Sequence, residues 1–144
     1  MFRKTMRFLT REHGQSVTEF AMIIPIVLII FMGIFDFGWV LHKQMALDNA
    51  ARAASRRGAV GVQTPLLIQR VKDTLYFPIM DNQIKVSVLD NQHNDIGDNN
   101  NRTQDNYIVV EITLTDVQLI TPLRNMVGTM GSFNLTSRAE FLIE

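Results

Sequence analysis

The chain has 144 residues carrying 14 basic and 14 acidic side chains, a length that fits one domain or a small domain with an accessory segment. Zero net charge provides no overall field to draw it onto nucleic acid, and an apolar fraction of 47% excludes disorder of the whole chain. The absence of cysteine removes disulfides, thiol nucleophiles and cysteine–zinc sites, leaving His13, His42 and His93 as the only imidazoles.

Neutrality is the sum of unlike parts. Formal charge is +3 over residues 1–14, −2 over 15–41, +5 over 42–72 and −6 over 73–144. The first of these segments reads as a basic leader. It is followed by Phe20 to Leu41, 22 residues in which Asp36 is the only formal charge. At about 1.5 Å per helical residue, that run matches a hydrocarbon core of about 30 Å. A cleaved secretory signal has a shorter apolar region ending in a small-x-small site, whereas here His42, Lys43 and Gln44 separate the run from the alanines that follow. A core helix this apolar on every side is hard to enclose in so short a chain. The run therefore reads as membrane-spanning. Basic residues flank it on both sides, so charge alone leaves orientation nearly tied. The short N-terminal flank and the long C-terminal remainder favour a cytoplasmic N-terminus and an exported head.

From His42 to Arg57 the pattern becomes amphipathic, with Leu41, Met45, Ala46, Ala50, Ala53 and Ala54 recurring at spacings of three and four. Span and amphipathic stretch together predict one helix over 15–57 that ends at Gly58, with Arg56 and Arg57 suited to its C-terminal dipole. Residues 58–144 are then a small head. In it, Thr64-Pro65 reads as N-cap and first residue of a short helix ended by Pro78. Alternation predicts three strands, carrying Ile84, Val86 and Val88, then Ile108, Val110, Ile112 and Leu114, then Phe133, Leu135, Ser137, Ala139 and Phe141. Thr121-Pro122 opens a helical turn between the last two, with Gly128 and Gly131 at its exit. The fold class is α+β, with a long N-terminal helix, a short helix and a small three-stranded antiparallel sheet. The strands should pack on the upper part of the long helix, because a lone sheet of this size is marginal.

Asp90 to Asn106 is a polar loop. Asp90, Asp95, Asp98, Asn99 and Asp105 carry oxygen ligands suited to calcium, but their spacing does not follow the EF-hand, and Asn and Asp gather in loops because they tolerate turn geometry. Asn101-Arg102-Thr103 and Asn134-Leu135-Thr136 fit the glycosylation triplet. No P-loop, nucleophile elbow, His-Glu-x-x-His or dinucleotide fingerprint is present, so neither an enzyme nor a cofactor is expected.

Glu19 stands at the lower edge of the apolar run, where a carboxylate remains in the headgroup region at little cost. Pro25 removes the hydrogen bond to the Ala21 carbonyl and loosens the helix locally. Asp36 sits toward the other end of the span, where a carboxylate calls for a contact, expected on another subunit's helix. The stretch Gly14-Gln-Ser-Val-Thr-Glu19-Phe20-Ala-Met-Ile-Ile-Pro25, continuing through Gly33-Ile-Phe-Asp36-Phe-Gly38 to Asn49-Ala-Ala-Arg52-Ala-Ala-Ser-Arg56, resembles the TadE-like family of pseudopilins from the tight adherence (Tad) pilus system. Residues 107–144 resemble it more loosely. Where the family commonly has arginine after Asp-Phe-Gly, Trp39 stands here, a residue suited to the membrane interface.

The resemblance implies a pilin-like subunit cut by a prepilin peptidase between Gly14 and Gln15, with Glu19 and Phe20 at the assembly end of the helix. Such a cut would create an ammonium at Gln15, one helical turn from Glu19, able to pair with the Glu19 of an adjacent subunit. The implied role is that of a minor pilin or pseudopilin in pilus assembly, priming and surface adherence; an unprocessed, membrane-anchored binding module is the alternative. The implied location is the bacterial inner membrane or the pilus itself. The implied partners are the prepilin peptidase, TadF-like pseudopilins, the major Flp pilin, the pilus assembly platform and membrane lipid, with no nucleic acid.

Overall fold

The computed structural model describes residues 12–97, 102–128 and 132–143. Residues 1–11 of the basic leader lie outside the described residues, as do Asp98, Asn99 and Asn101 of the polar loop.

One helix, α1 (Glu12–Ala59), runs through both the apolar span and the amphipathic stretch, about 72 Å at the helical rise. No glycine, proline or turn cluster lies between Gly38 and Gly58 to break it, and the helix also continues through Pro25. Its two halves have different surroundings. From Gln15 to Phe31 every residue is exposed, whereas Leu47, Ala50, Ala51, Ala54 and Ser55 are almost fully buried. The lower half is thus apolar surface with no protein against it, and the upper half is part of the core of the head.

The helix ends slightly later than its pattern predicts. Gly58 lies inside the final turn, and the left-handed residue is Gly61, with φ 91°. The Gly61 amide donates to the Gly58 carbonyl (3.0 Å) and the Val62 amide to the Arg57 carbonyl (3.2 Å), the paired bonds of a Schellman motif. Gly58 serves packing instead: a Cβ there would stand 2.3 Å from Ile108 Cδ1 and 3.0 Å from Leu67 Cδ1.

Helix α2 (Thr64–Thr74) starts one residue earlier than its Thr-Pro signal suggests, with Gln63 at the N-cap. Thr64 is inside the helix, where its hydroxyl accepts a 2.7 Å hydrogen bond from Arg102. Arg102 also donates to the Val62 carbonyl, so the end of the polar loop is tied to the α1–α2 connection. A short 3-10 turn, Asp81–Gln83, leads into the sheet.

The strands are β1 (Ile84–Leu89), β2 (Tyr107–Gln118) and β3 (Ser132–Leu142), antiparallel throughout and in spatial order β1-β2-β3. Ile84 pairs with Ile112 and Val88 with Ile108; on the other side Val110 pairs with Ala139 and Leu114 with Leu135. This register sets the alternating apolar residues of all three strands on one face, against α1 and α2. Ile84, Val88, Ile108, Val110 and Ile112 are buried, with Val86, Leu135 and Phe141 partly buried beside them.

β3 rises alongside α1 in the same direction. Near its middle the Thr136 carbonyl accepts from Gln44 Nε2 at 3.2 Å, and near its end Phe141 and Leu142 line a depression with Arg56 and Ala59. Six strand residues and fifteen helix residues separate these two contacts, about 20 Å and 22 Å respectively, so strand and helix climb in step. β2 descends beside β3, which sends the β2–β3 connection back toward the membrane half of α1. That connection holds a short helix, α3 (Leu123–Val127).

Candidate functional site

The residues singled out by the sequence fall into two groups about 25 Å apart on α1, the helical distance from Glu19 to Asp36. The lower group is Gly14, Gln15, Glu19, Phe20 and Pro25. Gln15 and Glu19 share one face, and Gln15 Nε2 donates to Glu19 Oε1 at 3.2 Å. Phe20 is exposed, and Pro25 lies in the uninterrupted helix.

The upper group forms around Asp36, and here the structure corrects the expectation of an intersubunit contact. Asp36 is only 3% exposed, and its partners belong to its own head. Oδ1 accepts from the backbone amides of Ile120 (2.9 Å) and Thr121 (3.0 Å), while Oδ2 accepts from the Thr121 hydroxyl. A carboxylate on an apolar helix requires donors, and these three supply them. The donor was misplaced because a head folding down to the level of residue 36 leaves no mark in the local pattern. Thr121 itself was visible as the opening of a helical turn. Its hydroxyl also accepts from the Leu123 amide at 3.3 Å, which joins Asp36 to the start of α3.

One turn above this clasp stands an aromatic cluster that sequence reasoning did not assemble. Trp39 meets Tyr76 edge-on at a centroid distance of 6.4 Å, Tyr76 lies 5.1 Å from His42 and 4.9 Å from Phe77, and Lys43 Nζ sits over the rings of Trp39 (5.1 Å) and Phe77 (5.4 Å). Tyr76 and Phe77 follow α2 some 35 residues later in the chain, so no spacing rule links them to Trp39.

In the polar loop, Asp90 accepts from the amides of Gln92 and Asn94, both at 2.8 Å, and from the Asn94 side chain at 3.1 Å. The bonds from Asn94, backbone first, hold its carboxyl below the usual carboxylate range. Its oxygens are occupied in building a turn. Among the described residues, no three acidic or imidazole side chains converge as a metal ion would require.

The two halves of α1 define the class of protein. The helix is long and apolar enough to cross a membrane, and only 6% of its most apolar window is buried by the rest of the chain, which distinguishes it from a core helix. Its continuation supplies the core of an α+β head, an arrangement that fits a head on a membrane-anchoring helix, with one such helix among the described residues. Residues 14–56 match the model of the family described as TadE-like protein, the family to which the Gly14–Arg56 motifs pointed. The match lies within α1, and a likeness to that family, one of the Tad pilus system, fits a membrane or pilus location. No curated protein and no solved structure matches the chain.

Proposed function

We propose that this chain is a minor pilin or pseudopilin of a Tad pilus, cut after Gly14 by a prepilin peptidase and acting through its helix in pilus assembly, priming and adherence. The observation that carries the reading is the continuity of α1: an uncovered apolar half leads without a break into the packing surface of the head. A helix of this kind moves as one body with its head, and its exposed lower half serves equally against lipid and against the helices of neighbouring subunits. The family match begins at Gly14, the residue before the proposed cut.

In this reading the N-terminus is cytoplasmic and the head lies across the membrane. The new ammonium at Gln15 pairs with Glu19 of an adjacent subunit. Pro25 weakens the helix locally and helps it leave the bilayer. The neighbours are TadF-like pseudopilins and the major Flp pilin, delivered through the assembly platform.

Intact-mass measurement of the membrane-extracted protein should find an N-terminus at Gln15, and Gly14→Val should restore the longer chain. Removing one member of a desolvated ion pair costs about 3–5 kcal/mol, so Glu19→Gln should insert normally and fail to assemble. Gly14→Val should fail in the same way. A mature chain starting at Met1, with pilus formation intact in both variants, would instead identify an unprocessed, anchored binding module.

A further inference from the structure

The β2–β3 connection presents apolar side chains at the point where the head meets the span. Ile120 is 61% exposed, Met126 72% and Val127 43%. Between Leu119 and Gly128 the only charged residue is Arg124, although residues 73–144 as a whole carry −6. The height of this surface follows from the backbone. Asp36 lies eight residues below Gln44 on α1, about 12 Å, and Ser132 lies four residues below Thr136 on β3, about 13 Å. The foot of the hairpin is therefore level with Asp36, and the hydrogen bonds from Ile120 and Thr121 to Asp36 fix it there.

That level lies at the edge of the bilayer. With Glu19 at one boundary, about 30 Å of hydrocarbon takes 20 helical residues and ends near Trp39. Asp36 and the loop clasped to it then lie at or just inside the other boundary. The Trp39–Tyr76–His42–Lys43 cluster falls in the headgroup region, where aromatic and basic side chains gather. Ile34, Phe35 and Phe37 are exposed on α1 at this level, and Phe35 adjoins Ile120 and Thr121 of the loop. Between loop and helix lies an open groove of about 470 Å³, lined by Phe35, Gly38, Trp39, His42, Ile120 and Thr121.

We propose that residues 119–128 form a lipid-contact surface, seated in the leaflet on the head's side of the membrane. Ile120, Met126 and Val127 lie among the outer ends of the acyl chains, Arg124 faces the phosphates, and the groove beside Trp39 takes an acyl chain. The assignment rests on the membrane-anchor reading of α1. Continuity with that lipid-facing helix favours lipid over a second protein as the occupant. The head is then held upright by two attachments, the helix and this foot.

The chain has no cysteine, so single labelling sites can be introduced cleanly. The full-length protein carrying a spin label at Met126→Cys, or at the exposed control Arg70→Cys in α2, is reconstituted into phosphatidylethanolamine–phosphatidylglycerol vesicles and floated. Collision of the label with dissolved oxygen and with a water-soluble nickel chelate is then measured. The label at 126 should keep its oxygen collisions and lose those with the chelate, while the label at 70 should meet the chelate freely. If floated protein shows chelate access at 126 equal to that at 70, the lipid contact is wrong and the anchor stands. If shielding at 126 appears only at high protein-to-lipid ratio, together with dipolar broadening between labels, a second copy covers the surface and the lipid assignment fails. Protein that does not float at all would overturn the anchor and the lipid contact together.

Discussion

Asp36 shows how a single charge fixes a fold boundary. Three donors converge on its two oxygens, two of them backbone amides in a connection 84 residues away. Removing an acceptor from partly buried donors costs about 1–3 kcal/mol, so Asp36→Ala should lower the unfolding temperature of the detergent-solubilised protein. Amide exchange should accelerate at Ile120 and Thr121 before it does in the strands. Asp36→Asn retains one acceptor oxygen, and its new NH2 group can donate to the Thr121 hydroxyl, so the loss should be smaller. Equal exchange at 120–121 in wild type and Asp36→Ala would show that the clasp contributes nothing. At this scale the sequence was informative about need and silent about partner. A carboxylate on an apolar helix announces that it must be satisfied, but its donor comes from wherever the chain returns. For the same reason the packing of Trp39 on Tyr76, and of Tyr76 on Phe77, was not legible in the sequence.

At the level of elements, the hydrophobic periods placed the upper part of α1, α2 and all three strands, because each has one apolar face to bury, whereas the lower part of α1 was placed by the length of its apolar run. The ends were harder to read. Gly58 has the appearance of a helix stop, yet the Schellman bonds form at Gly61 and Gly58 is kept small by Ile108 and Leu67. Gly58→Ala should therefore destabilise by overpacking, about 1–3 kcal/mol in a thermal or denaturant melt. Ile108→Val removes the Cδ1 atom that the new methyl would meet, so the double variant should recover part of that loss. Strict additivity of the two changes would mean that the contact is not the cause. The Thr64-Pro65 signal likewise marked a true helix start, displaced by one residue, with Gln63 at the N-cap and the threonine hydroxyl bound by Arg102.

Taken whole, the molecule separates apolar residues that stabilise the head from apolar residues that meet other surroundings, although both belong to one helix. Leu47 is fully buried against the sheet layer, and Ile30 is 57% exposed in the span. Leu47→Ala should cost about 2–5 kcal/mol of head stability, whereas Ile30→Ala, a deletion of similar size, should leave the melt unchanged. An equal loss from both would show that the head does not end where α1 becomes exposed.

The partnership of α1 with β3 also has a consequence for biogenesis. The seam of Leu47, Ala50, Ala51 and Ala54 is made well before β3, one of the strands that cover it, so on the membrane-anchor reading α1 enters the bilayer while that seam is still partly open. Until β3 is delivered, the nascent protein displays a stripe of small side chains on a rigid rod, the kind of surface on which helices of other chains dock closely. A chain arrested before residue 132 would keep the part of that stripe that β3 covers permanently open, which makes such truncations candidates for interfering with their full-length neighbours rather than merely failing to function.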